Sequence, residues 1–184
     1  MKKIFTLIIT LFIFLGCDTK VKESNLQNGD IIFQDSTSSQ SKAIKLATHS
    51  KYSHMGIIYK TSKGLFVYEA SATVRLTPFS TWVNSGVNQH YVVKRLKDTK
   101  QLTAKNFKKM QTIGKTFENH PYDILFGWGD SKIYCSELVW KIYKRALNIE
   151  LGKLKKLKSF DLTHLVVQAK LKERYGNKIP LNEQ

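Results

Sequence analysis

The chain has 184 residues, with 30 Lys and Arg against 14 Asp and Glu, a formal net charge of +16 and 42% hydrophobic residues. That length supports one domain burying about 70% of its unfolded surface and demands no second core. Two cysteines exclude a disulfide scaffold. No glycine-rich phosphate loop, Gly-x-Ser-x-Gly elbow or nucleic-acid-binding motif occurs.

The N-terminus reads as a signal peptide. Lys2 and Lys3 precede an apolar run from Ile4 to Gly16 that ends at Cys17. The run is shorter than the roughly 20 apolar residues a membrane span needs. Phe14-Leu15-Gly16-Cys17 resembles the lipobox of bacterial lipoproteins, with Phe14 where leucine is usual, and implies diacylation of Cys17. Residues 1–17 are therefore expected to be a lipoprotein signal, 18–28 a polar tether and 29–184 the folded domain. The expected location is exported and lipid-anchored to a bacterial cell membrane, facing the periplasm or cell surface. Loss of Lys2 and Lys3 lowers the charge from +16 to +14. Such an excess steers a chain towards anionic membrane surfaces, acidic cell-wall polymers or nucleic acid, and an exported chain meets the first two.

After Gly29-Asp30, the run Ile31-Ile32-Phe33 predicts a buried strand. Ser38 to His49 predicts a short helix with Ile44 and Ala47 on one face. Three strands follow around Met55–Tyr59, Leu65–Ala70 and Val74–Leu76, the first two joined by a turn at Ser62-Lys63-Gly64. Pro78 to Val83 reads as a helical turn and Tyr91–Leu96 as a strand. Phe107, Met110 and Ile113 predict a helix over Thr103–Lys115, capped by Thr103. A loop rich in glycine and aromatics, Glu118–Ile133, leads to a second helix from Cys135 to Leu147, whose apolar positions are Leu138, Val139, Ile142, Tyr143 and Ala146. Phe160 to Tyr175 is partly helical. The fold class is α+β, with a small, mainly antiparallel sheet packed against helices.

Cys135 is the one cysteine left to the exported domain. It is either buried and inert or chemically useful. At a helix start it faces backbone N–H groups and the positive end of the dipole, which stabilise a thiolate and can hold an oxyanion. Glu137 in the same turn complements the dipole. Five histidines could serve as base, and spacing alone does not choose among them. His54 enters a strand, where a sheet holds the ring and Gly56 allows close backbone approach. His49, His90 and His120 lie in polar or loop segments, and His164 decorates the tail. Glu69, an acid in an apolar strand one hairpin after His54, either orients the imidazole on a shared sheet face or points outward at an edge. Scattered histidines and one cysteine lack the close ligand pairs of a zinc site, so neither metal nor other cofactor is expected.

Taken together, Gly29-Asp30-Ile31-Ile32-Phe33, Ser53-His54-Met55-Gly56-Ile57, Tyr68-Glu69-Ala70, Pro121-Tyr122-Asp123 and Tyr134-Cys135-Ser136-Glu137-Leu138-Val139 resemble the circularly permuted papain-like amidases of the YiiX/YaeF type, within the NlpC-like superfamily. The resemblance spans Leu26 to Leu165. It implies a permuted papain-like fold with Cys135 as nucleophile, His54 as general base and Glu69 as the orienting residue. Tyr122, Asp123 and Tyr134 are expected to bind substrate or line its pocket, with a structural role for Tyr122 and Asp123 and core packing for Tyr134 as the alternatives. The implied activity is hydrolysis of an amide in the cell envelope, on a cell-wall peptide or an acylated amine. Two rivals remain: a lipid-directed acyltransferase or thioesterase, which requires an apolar groove beside Cys135, and an envelope-binding lipoprotein with an inert thiol.

Overall fold

The computed structural model describes residues 22–182; the expected signal peptide and Cys17 lie outside them. Among the described residues five strands form an antiparallel sheet: β1 (Ile31–Ser36), β2 (His54–Thr61), β3 (Gly64–Ala70), β4 (Val74–Pro78) and β5 (Gly86–Lys94), in the spatial order β4-β3-β2-β1-β5. The helices are α1 (Ser41–Thr48), α2 (Phe79–Asn84), α3 (Ala104–Lys115), α4 (Cys135–Leu147) and α5 (Leu165–Tyr175). The expected α+β class holds, and Thr103 caps α3 by accepting from the Asn106 N–H at 3.2 Å.

Alternation along the strands divides the core in two. One face carries Ile57, Tyr59 and Tyr68 against Met110 of α3 and Leu138 and Ile142 of α4. The other carries Ile32, Ile58 and Val67 beneath Phe79 and Trp82 of α2. This period of two makes register decisive, because a slip of one residue would exchange the faces.

Two boundaries differ from the sequence reading, and one loop is tied down. Packed chain begins before Gly29, for Leu26 is buried against Ile32 and Ile58 and Asn28 Oδ1 accepts from the Lys60 N–H at 2.6 Å. The expected tether over 18–28 therefore gives up its last residues to the domain. β5 starts at Gly86, ahead of the predicted Tyr91, because Asn88 and Gln89 adopt positive φ in an irregular edge pairing with β1 that hides the alternation. The loop over 118–133 is bridged to the domain, with Thr73 opposite Pro121 and Tyr122 opposite Ile133.

Gly56 sits where no side chain fits. A Cβ there would lie 2.4 Å from Val67 Cγ1 and 2.8 Å from the Tyr68 carbonyl oxygen. The backbone can yield only by loosening the β2–β3 pairing. Gly56→Ala is expected to cost about 2 kcal/mol, a Tm fall of about 4–8 °C in a thermal melt for a domain of this size.

Candidate active site

β2 and β3 pair with Ile57 opposite Tyr68, so the register sets Glu69 opposite Gly56 and diagonal to His54, on the same face. Because Gly56 carries no side chain, the space between the two is open. Glu69 Oε2 lies 2.5 Å from His54 Nε2, and Glu69 Oε1 accepts from the Thr77 hydroxyl of β4 at 2.5 Å. The acid, the imidazole and the threonine thus form a chain across three strands. The Trp82 ring lies against the imidazole at 5.9 Å between centroids.

Cys135, the first residue of α4, is buried. With Nε2 facing Glu69, Nδ1 is the ring nitrogen left for the sulfur, and His54 and Cys135 lie close enough that each shifts the other's titration. β2–β3 pairing begins only at Ile57; the Met55 N–H, beyond the ladder, faces the sulfur, as does the Ser136 N–H in the first helical turn.

Electrostatics favour the charged pair. Burial alone would push the Cys135 thiol up; the His54 hydrogen bond and charge, with the Met55 and Ser136 N–H groups, outweigh it and hold the thiol below its usual range. Burial would pull His54 down, yet its bonds to Cys135 and Glu69 raise it to about 10. Burial would likewise raise Glu69, but the hydrogen bond and charge of His54, aided by Thr77 and Arg75, keep it below the usual carboxylate range. These directions favour a thiolate–imidazolium pair backed by a carboxylate.

The other residues singled out by sequence take varied places. Tyr134 precedes α4 and lines the cavity above the sulfur. The Tyr122 hydroxyl reaches Cys135, and this contact adds to burial in holding the phenol well above its ordinary range. Asp123 takes a structural role: its carboxylate accepts from the Leu125 N–H at 2.9 Å and the Gly127 N–H at 2.8 Å. It folds its own loop and is not among the residues lining the cavity. His49 and Asp161 lie 3.4 Å apart, His120 Nδ1 meets the Asp130 carbonyl, and His164 caps α5. None of these contacts joins the sulfur. Sequence reasoning missed Gln40, which donates to the Tyr122 hydroxyl at 3.1 Å; a lone glutamine ahead of α1 carries no local signal.

Cys135 and His54 open into a cavity of about 500 Å³, walled by Phe33, Phe126, Trp140, Leu154, Phe160 and Leu171 among others. Lys153, Lys155, Lys170 and Arg174 are the cations of its lining.

Residues 25–178 match the model of the permuted papain-like amidase enzymes, YaeF/YiiX, C92 family. The chain belongs to that family. Membership places the domain among papain-like amidase hydrolases. A relative from Escherichia coli (strain K12), described as uncharacterized protein YiiX, is 48% identical over 157 residues, 85% of this chain and 77% of that protein. A crystal structure described as metalloprotein yiiX from Escherichia coli O157:H7 superposes with a TM-score of 0.82 at 49% identity, covering 85% of this chain and 86% of that one. Among the described residues of this family member, no group of three or more His, Cys, Asp or Glu side chains gathers as a metal site. Glu69 stands behind the imidazole, so His54 and Cys135 offer two donors where protein zinc sites use three or four. Among the described residues, the donors around Cys135 do not fit a protein-held metal.

Between the lowered thiol and the raised imidazole the ion pair persists, so iodoacetamide is expected to alkylate Cys135 rapidly at pH 7, with the rate falling only on acidification. In His54→Ala the opposing charge is gone and burial alone acts on the sulfur. Alkylation at pH 7 then drops about tenfold or more, read by mass spectrometry; an unchanged rate would assign the activation to another group.

Proposed function

We propose that this family member is a cysteine-dependent amide hydrolase of the bacterial cell envelope, in which Cys135 is the nucleophile, His54 the general base and acid, and Glu69 the residue that orients the imidazole. The observation that carries the proposal is the Thr77–Glu69–His54 hydrogen-bond chain set beside a cysteine that the imidazole acts on electrostatically and that lines a cavity. The thiolate attacks the carbonyl carbon and an S–C bond forms. N–H groups of Met55 and Ser136, already turned towards the sulfur, are the donors nearest the developing oxyanion. As that intermediate collapses, the imidazolium proton passes to the amide nitrogen, the C–N bond breaks and the amine leaves. Water, giving its proton to His54, then attacks the thioester; the acid departs and the thiolate–imidazolium pair is restored.

Of the substrates the sequence leaves open, the cavity favours an acylated amine over a cell-wall peptide. A peptide brings amides and carboxylates that require a polar lining, whereas the walls are mainly aliphatic and aromatic. The same lining supports the rival reading, an acyl ester or acyl transfer, because the apolar groove that reading requires lies beside Cys135. Lipid anchoring at Cys17 and a net charge of +14 suit work at an anionic membrane surface.

Cys135→Ala is expected to abolish turnover of an acyl amide or ester while leaving the melting curve within a few degrees of wild type, since the deleted sulfur opens on the cavity. Full activity in that variant would end the proposal. The location is tested separately: cells expressing the chain and fed an alkyne fatty acid should yield a labelled, membrane-bound protein, and Cys17→Ser should release it unlabelled. Label retained in Cys17→Ser would refute the anchor.

A further inference from the structure

Three residues from distant parts of the chain meet at the cavity that Cys135 lines. Arg174, near the end of α5, donates to Gln40 Oε1, and Gln40 Nε2 donates to the Tyr122 hydroxyl oxygen at 3.1 Å. The direction of this chain is set by chemistry, because a guanidinium has donors and no acceptor. It must therefore take the amide oxygen of Gln40, and the amide NH₂ is left to face Tyr122. With its oxygen accepting from Gln40, the phenol has one hydrogen to give, and Cys135 is the neighbouring group whose charge acts on it.

The end of α5 is itself fixed. The Arg174 guanidinium lies 4.7 Å from the Phe126 ring centroid, and the Tyr175 hydroxyl donates to the Leu125 carbonyl. Tyr122 is held from its other side, its N–H donating to the Ala72 carbonyl at 3.1 Å.

We propose that Gln40 and Arg174 are positioning residues: Arg174 locks the amide of Gln40, and Gln40 compels the Tyr122 hydroxyl to aim its hydrogen at the Cys135 sulfur and at the oxyanion formed beside it. The inference rests on Cys135 being the nucleophile and adds a third, side-chain donor to the backbone pair. Loss of one such donor costs about 10²–10³ in rate in other acyl-transfer enzymes.

Gln40→Glu separates aim from architecture. A carboxylate keeps, and strengthens, the contact with Arg174, but it accepts where the amide donated and draws the phenol hydrogen away from the sulfur. With the full chain and p-nitrophenyl octanoate as probe, Gln40→Glu is expected to lower kcat at least tenfold with KM within about twofold. Tyr122→Phe should show a comparable loss. The double variant should be no slower than Tyr122→Phe alone, because no hydroxyl remains to be misdirected. Wild-type kcat in Gln40→Glu, or an undiminished effect of that change in the Tyr122→Phe background, would overturn the positioning chain. Arg174→Gln, read the same way, serves if Gln40→Glu does not fold. Cys135→Ala runs alongside: if it is inactive and Gln40→Glu is not impaired, this inference alone fails. If Cys135→Ala hydrolyses the ester at the wild-type rate, the catalytic reading beneath it fails as well.

Discussion

The site depends on keeping a positive imidazole and a negative sulfur together out of water. Burying either charge alone is expensive, and the pair is tolerable only when both are hydrogen-bonded on their remaining sides. Glu69 and Thr77 do this for His54, and the N–H groups of Met55 and Ser136 do it for Cys135. All four supports come from backbone geometry. Antiparallel register puts Glu69 diagonal to His54 across a bare Gly56, pairing that starts only at Ile57 leaves the Met55 N–H beyond the ladder, and the first turn of α4 supplies Ser136.

The helix that carries the sulfur also anchors the loop that roofs it. Lys141 is buried on α4, and its ammonium reaches the Gly129 carbonyl at 2.5 Å, Glu137 at 2.6 Å and Asp130 at 2.8 Å. Arg145 joins Asp130 from the next turn, and hydrogen bonds from Arg145 and Lys141 hold that carboxyl down to about 2. Burial pushes Glu137 up to about 7 although Lys141 and the Tyr134 N–H oppose it. The network ties the aromatic loop to α4, so Phe126 and Trp128 keep their places as cavity wall. Glu137 is thus more than a complement to the helix dipole.

A cavity with apolar walls and cations in its lining has the character of an amphiphile's partner. His54, Cys135 and Tyr134 share its lining, and Trp82 shields the imidazole from one side. Excluding water there strengthens every interaction the ion pair makes. The far wall is built by α5 and the chain around Leu154 and Phe160, elements that contribute nothing to the sheet.

Short-range pattern determined a good deal by itself. An apolar run marked β1, β-rich pieces and a turn marked β2 to β4, helical spacing marked α3 and α4, and Cys135 fell at the start of α4 as expected, because burial leaves its pattern on the sequence. Motif order pointed to the same cysteine, histidine and acid that the fold then brought together. What only the tertiary structure decided is direction and distant company. Asp123 turns into its own loop, Tyr122 turns to the sulfur, and Gln40 meets a tyrosine 82 residues away. Those outcomes depend on which long-range pairs pack, and a residue's neighbours in sequence carry no record of its neighbours across a fold.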